Sequence, residues 1–253
     1  MQNYDDLVSV IMPAFNAEKT IISSLKSVVD QTYKNIQLII IDDESVDDTK
    51  HIVKEFIKRN SPEIIIDIID NTCGKGARGA RQSGINRADG RFIAFLDSDD
   101  LWLPKKIETQ LAFMKTNNYE FTFSDYLINK KDTKKTFYAR KIVDFRALTK
   151  TCDIGCLTVM LDKKLIDEII IPNTPKEDYA LWLSLLKNNH IKAYNIQEIL
   201  AVYNVQDSSL SSNKFKEIFK QFIVLRDVAS LGFFESAYKI IHYVFNGLIK
   251  HKL

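Results

Sequence analysis

The sequence predicts an α/β fold in which a mainly parallel central sheet is covered by helices, with further helices at the C-terminal end. Three observations predict it. Short runs of near-continuous Ile, Leu and Val alternate with longer amphipathic stretches; strands buried on both faces read as such runs, and the alternation makes βαβ units. Two of the runs stop abruptly at acids, at Asp42-Asp43 and at Asp97-Ser98-Asp99-Asp100, and the C-terminal ends of parallel strands are where open α/β sheets place ligand chemistry. With 253 residues, 45% of them hydrophobic and 27% charged, the chain has material for one large domain, or a domain with an appendage.

Taken in order, residues 7–12 read as a fully buried strand ending at Pro13. A helix is expected from Asn16 to about Asp30, with Ile21, Ile22, Leu25, Val28 and Val29 on its apolar face. Residues 36–41 form the second strand and 46–59 the second helix. Residues 64–69 are the third strand, and 75–88 read as helical despite their glycines. The fourth strand, residues 91–96, leads into the acidic stretch. There Asp97 and Asp99 stand at i and i+2, so in extended backbone both carboxylates would face one side. After Trp102 the rhythm changes. A helix to about Lys115 precedes a strand at 121–128, and the charged residues 130–135 read as a solvated hairpin tip. Residues 156–161 are apolar, 178–188 form an amphipathic helix with Leu181, Leu185 and Leu186 inward, and 198–205 are a last strand. Two helices follow from Ser212, broken near Gly232. The two halves are expected to share one continuous sheet.

Composition excludes some classes. A net charge of +2 gives no reason to expect nucleic acid as partner. Cys73, Cys152 and Cys156 lack zinc-ligand pairing and read as reduced thiols of a cytoplasmic protein. No basic region followed by an apolar stretch opens the chain, so no secretory signal is expected. No apolar run reaches the roughly 18 residues of a membrane span.

Three acidic sites need one account: Asp42-Asp43, Asp97-Ser98-Asp99, and Glu177-Asp178 at the start of a later helix. Adjacent carboxylates repel unless something positive lies between them, and Mg2+ or Mn2+ suits that role while keeping positions for substrate phosphates. An acid ending an early strand can accept from a base or a ribose hydroxyl. Each site also has a plainer reading: Asp42-Asp43 as turn residues, Asp100 as a helix N-cap, and Glu177-Asp178 as first-turn acids favoured by the helix dipole. A rival function is a dinucleotide oxidoreductase, because Gly74, Gly76 and Gly79 make a literal G-x-G-x-x-G after a strand, with Asp97 about where a ribose-binding acid would stand. A non-catalytic carbohydrate-binding module is the other class.

The ordered segments VSVIMPAFN at 8–16, IDDESVDDT at 41–49, ARQSGI at 80–85, FLDSDD at 95–100 and EDYALW at 177–182 resemble the motifs of glycosyltransferase family 2. The further runs IGCLTVMLD at 154–162 and YNVQDSSLSSNK at 203–214 are similar to its teichuronic-acid and O-antigen branch. The resemblance covers about residues 7–215 and implies the GT-A fold, with inversion at the transferred sugar. It implies residues 1–211 as the catalytic domain, with a nucleotide-sugar half at 1–103 and an acceptor half at 104–211, and residues 212–253 as a helical appendage. The donor would be a UDP-sugar of a hexose or N-acetylhexosamine, and the acceptor a lipid-diphosphate-linked saccharide at the cytoplasmic membrane face.

The same resemblance implies residue roles. Uracil would lie against Pro13, Ala14, Phe15, Asn16 and the carboxylate of Asp43. The ribose and diphosphate would sit near Asp97 and Ser98, with Asp99 as main ligand of Mn2+ or Mg2+ and Asp97 beside it. Arg81 would border the nucleotide, near a phosphate. Asp178 would be the catalytic base, with Glu177 contacting the acceptor or holding the base. This chain has Asn204 and Gln206 where many relatives have Arg and His, which leaves the third metal ligand open. Ser208 and Ser209 would lie in a loop covering the donor. Phe234, Tyr238, Ile241, Phe245 and Leu248 draw one apolar stripe on the last helix. That stripe either packs on the domain or lies on a membrane surface.

Overall fold

The computed structural model describes residues 4–60, 62–131, 133–166, 168–206 and 214–252, with the side chains of 4, 214, 215 and 245–252 outside the described set. Strand β1 (Val8–Ala14) pairs in parallel with β2 (Ile36–Asp42) on one side and with β4 (Phe92–Phe95) on the other. Strand β3 (Ile65–Asp70) adds outside β2, also in parallel. The strand order therefore reverses at β1, and the crevice beyond its C-terminal end is the place where such sheets bind ligands.

Period-two alternation sends the apolar side chains to both faces. Val8, Val10 and Met12 with Phe92 and Ala94 face one core layer, which helices α1 (Ile21–Val29), α2 (Thr49–Asn60) and α4 (Lys106–Asn117) help to cover. Ile11, Ile39, Ile41, Ile93 and Phe95 face the other. Helix α3 (Ala77–Arg87) packs there because Gly84 lets it approach: a Cβ at Gly84 would fall 2.6 Å from Ile11 Cγ2 and 2.7 Å from Ile41 Cδ1. Strand β3 is the exception to full burial, its residues ranging from intermediate to exposed, as suits an edge.

The second half continues the sheet with mixed pairing. Strand β9 (Met160–Asp162) runs antiparallel to both β4 and β6 (Phe121–Lys130), and β10 (Ala193–Asn204) lies parallel to β6. Two-residue β5 (Leu101–Trp102) closes on β10, while β7 (Thr133–Phe137) makes a hairpin with β6 and β8 (Ile142–Val143) pairs with β10. Among the described residues all ten strands join one sheet. The sheet is mainly parallel, as expected, with its antiparallel pairs confined to the second half and to the junction with it. Helix α5 (Phe145–Leu148) is N-capped by Asp144, whose Oδ1 accepts from Ala147 N–H at 2.7 Å. Helix α6 (Glu177–Asn188) buries Trp182 edge-on against Phe95 and Phe121. Helix α7 (Lys214–Asp227) adds Val224 and Leu225 to the same core, and α8 (Phe233–Lys252) packs beside α7.

Three local expectations are corrected. The first helix begins at Ile21 and not at Asn16, because the intervening amides are spoken for: Asn16 sits at φ 48° and donates to Ser45 Oγ, Ala17 N–H to Thr49 Oγ1, and Glu18 N–H to Asp47. Asp97 to Asp100 is a turn closed by Asp100 N–H on Asp97 O at 3.1 Å, not extended backbone. Asp100 caps no helix; it is buried and accepts from Asn204 N–H at 2.9 Å.

Candidate active site

The loops after β1, β2 and β4 and the first turns of α3 enclose a cleft of ≈ 790 Å³. Every side chain expected to meet the nucleotide or metal borders it: Pro13, Ala14, Phe15, Asn16, Asp43, Arg81, Asp97, Ser98 and Asp99. The first two loops are stitched together, since Asn16 also accepts from Val46 N–H through Oδ1 at 2.9 Å. Phe15 remains 53% exposed at the rim, a flat apolar surface available to a planar base. Asp43 is buried and holds the opposite wall in place. Its Oδ2 accepts from Gly76 N–H at 2.8 Å and its Oδ1 from Asn71 Nδ2 at 2.7 Å. A carboxylate has about four acceptor positions, so these two bonds leave room for a ligand donor.

The glycine motif has a structural task here. Gly76, at φ 101°, lets the chain turn into α3, and a Cβ on Gly79 would fall 1.6 Å from Gly74 O. The Gly76 amide that a dinucleotide pyrophosphate would use is already bonded to Asp43.

Arg81 is the join between the two acidic ends of the site. Its side chain is only 8% exposed, yet Nη2 donates to Asp97 Oδ1 at 2.5 Å and Nη1 to Glu177 Oε1 at 2.8 Å. The guanidinium thus lies against acidic side chains on both sides. Burial alone would lower its pKa, but Asp97, Glu177 and Asp178 hold it well above the ordinary arginine value. Glu177 and Asp178 themselves do not line the cleft; they stand behind Arg81, at the first turn of α6. Burial raises the carboxyl pKa of Asp178, with Arg81 opposing and Glu177 adding to the rise, while Asp178 Oδ1 accepts from Tyr179 N–H at 2.7 Å. Burial and the neighbouring Asp97 raise Asp99 as well, and push buried Asp100 up to about 9.

Residues 9–171 match glycosyl transferase family 2. Over 248 residues the chain is 44% identical to the UDP-Glc:alpha-D-GlcNAc-diphosphoundecaprenol beta-1,3-glucosyltransferase WfgD of Escherichia coli, covering 98% of this chain and 96% of that protein. The chain belongs to glycosyltransferase family 2. Among its other relatives in the family is TuaG of Bacillus subtilis (strain 168), named for teichuronic acid biosynthesis, at 37% identity over 99% of both chains. In fold, this family 2 enzyme resembles the mannosyltransferase PcManGT of Pyrobaculum calidifontis, solved with GDP-Man and Mn2+. That likeness has a TM-score of 0.70 at 13% identity and covers 94% of this chain and 72% of that one. The fold is GT-A, and the protein is a glycosyltransferase.

The donor set of this glycosyltransferase suits a loosely held hard cation. Among the described residues no three His, Cys, Asp or Glu side chains form a closed metal cage. Asp97 and Asp99 stand together on the cleft with Gln206, whose side chain hydrogen-bonds Asp99. Two carboxylates and an amide fit Mg2+ or Mn2+, ions that keep water and phosphate oxygens among their ligands. Asn204 steadies the acidic turn from outside, donating through Nδ2 to Asp99 O at 2.7 Å.

Arg81 borders the cleft, where it was expected, and its two terminal nitrogens also bond to Asp97 and Glu177. The chain pattern missed Glu18, Lys19, Val46 and Asp47 on the rim; they lie in loops whose shape depends on hydrogen bonds between segments about 30 residues apart. Ser208 and Ser209 lie outside the described residues. Cys73, Cys152 and Cys156 are free thiols, and burial pushes Cys152 up to about 12, which makes it a poor nucleophile.

Proposed function

We propose that this glycosyltransferase moves a hexose, glucose in the first instance, from its UDP-sugar to a lipid-diphosphate-linked saccharide during assembly of a bacterial surface polysaccharide. The observation that carries the reading is Arg81 holding Asp97 on the cleft wall and Glu177 on the neighbouring helix start. It sets donor-side acids beside an acceptor-side acid pair, the arrangement an in-line displacement at the anomeric carbon requires. The choice of donor and acceptor follows WfgD, whose name specifies UDP-Glc and a GlcNAc-diphosphoundecaprenol and which matches this chain over nearly its whole length.

The residues then divide the work. Phe15 and the loop from Pro13 to Asn16 receive uracil, and Asp43 accepts from its ring N–H. Asp97 and Ser98 orient ribose and diphosphate. Asp99, with Asp97 beside it, would hold Mg2+ or Mn2+, which when bound neutralises charge growing on the departing UDP. Asp178 takes the proton of the acceptor hydroxyl. Its raised pKa makes it a stronger proton acceptor than an ordinary aspartate once ionised. Glu177, anchored on Arg81, holds the helix start that carries the base. No covalent intermediate is needed, so the configuration at the sugar inverts. A lipid-linked acceptor puts the reaction at the cytoplasmic face of a membrane; no described helix is long and apolar enough to cross one, so contact with that face would be peripheral.

Incubating the purified protein with Mn2+ or Mg2+ and a panel of UDP-sugars tests this reading. UDP release should be fastest from UDP-glucose, and Asp99→Ala should abolish the metal stimulation. Full turnover in excess chelator, or preference for a nicotinamide dinucleotide over UDP in a binding assay, would overturn it.

A further inference from the structure

Helices α7 and α8 carry an apolar face that the catalytic machinery does not use. On α8, Phe234, Tyr238 and Ile241 recur at i, i+4 and i+7, on one side of a helix, and are 86%, 55% and 68% exposed. The helix is docked by another face: Ser236 is buried, Ile240 packs against the core, and Tyr243 meets Lys176. The exposed stripe is therefore not the packing surface. It extends onto α7, because Phe233 stacks edge-on with Phe234 and with Phe222, and Phe219, one turn before Phe222, is 66% exposed. The same spacing continues in the sequence at Phe245 and Leu248, whose side chains lie outside the described ones.

Charge selects the occupant. Of the chain's 35 basic and 33 acidic residues, residues 212–253 hold seven and three. The segment therefore carries a net +4 (7 − 3), while the rest of the chain carries −2 (28 − 30). A second copy of the same face would bring two positively charged segments together, which opposes association. An anionic lipid surface matches both properties, with aromatic and aliphatic tips at the acyl boundary and lysines among the headgroups. We propose that the exposed face of α7 and α8 docks the enzyme on an anionic lipid bilayer.

The placement makes such docking useful. Lys176, the residue immediately before Glu177 and Asp178, donates through Nζ to Gln221 Oε1 on α7 at 2.8 Å and to Tyr243 OH on α8 at 3.2 Å. Lys187 on α6 donates to Val228 O and Ser230 Oγ just beyond α7. The helix pair is thus fixed to the helix that carries the proposed base, so docking would hold that helix close to the bilayer in which a lipid-anchored saccharide is embedded. This inference builds on the lipid-linked acceptor proposed above, but its test needs neither donor nor acceptor.

The test is co-sedimentation of the full chain with vesicles of phosphatidylglycerol and phosphatidylethanolamine, and with vesicles of phosphatidylcholine alone. The wild type should pellet with the anionic vesicles and be released by high salt. The triple variant F234S/Y238S/I241S changes only exposed side chains, so it should fold and bind UDP as before while losing vesicle affinity by at least about ten-fold, as expected when three interfacial apolar side chains are removed. A wild type that ignores anionic vesicles, equal binding to neutral vesicles, or a variant that pellets undiminished would overturn the proposal. So would a wild-type dimer in sedimentation velocity that the triple variant converts to monomer, since the face would then serve a second copy. Unaltered UDP binding in any of these cases would leave the catalytic reading standing.

Discussion

At the scale of single residues, the proposed chemistry rests on Arg81 and Asp178. Asp178→Asn keeps the shape of the side chain and removes its capacity to take a proton. Transfer should fall by about 10²–10⁴-fold, the usual scale of general-base catalysis, with UDP affinity retained in a direct binding measurement. The pH profile has a definite sign. Burial raises the Asp178 pKa and Arg81 opposes the rise. Transfer should therefore decline as pH falls through a value above the ordinary aspartate range, where the base becomes protonated. Arg81→Met removes the opposing charge, so the acidic limb of kcat should move to higher pH; a limb that stays in place would separate Arg81 from the base. Arg81→Lys cannot reach both carboxylates with a fork and should restore only part of the loss. None of this pairing was legible in the sequence. The motif residues could be picked out one by one, but the partners of Arg81 lie 16 and 96 positions away, and only the packing of α3 on β1 and β2 and against α6 brings them together.

Among the elements, the strands of the nucleotide half were the most readable, because continuous Ile, Leu and Val at β1, β2 and β4 suits a short strand buried on both faces and little else. The start of α1 was not readable: the amides from Asn16 to Glu18 bond to the loop after β2 and to the first residue of α2, a competition no local pattern encodes. Nor was β5, a two-residue strand that exists only through β10. At the start of α4, Lys106 is fully buried with its Nζ 4.0 Å from the Trp102 ring centroid and without a hydrogen-bond partner. Burial holds its pKa well below the ordinary lysine value. The unfolded chain therefore binds the proton more readily, so the destabilisation is absent above a pH of about 10.5 and grows as pH falls toward the folded pKa. Lys106→Met should raise stability at neutral pH by about 1–3 kcal/mol and lose that advantage at strongly alkaline pH, as urea unfolding at two pH values would reveal. Lys176 makes a second case at the start of α6. It sits at φ 55° and reaches both α7 and α8. Lys176→Ala should lower kcat several-fold with KM for the UDP-sugar nearly unchanged; an increase in KM alone would place its effect on donor binding.

For the molecule as a whole, one continuous sheet among the described residues joins a parallel N-terminal half to a mixed second half. The cleft opens where the strand order reverses, and the acid pair of α6 stands behind its wall. The fold and the cleft could be anticipated because both rest on short-range patterns and on the rule that strand ends meet at one edge. The surroundings of the acid pair could not, since Lys176 before α6 bonds to Gln221 of α7 and Tyr243 of α8, contacts between segments 45 and 67 residues apart. Everything proposed for the reaction turns on Asp178 serving as base in hexose transfer from a UDP-sugar held over Asp97 and Asp99. The most direct test gives wild type and Asp178→Asn the same UDP-glucose and a GlcNAc-diphospholipid analogue, with product formation and UDP binding measured on the same preparations. The wild type should make a β-linked disaccharide, and the variant should lose nearly all of that product with UDP binding intact. Product at wild-type rate from Asp178→Asn would contradict the assignment of the base.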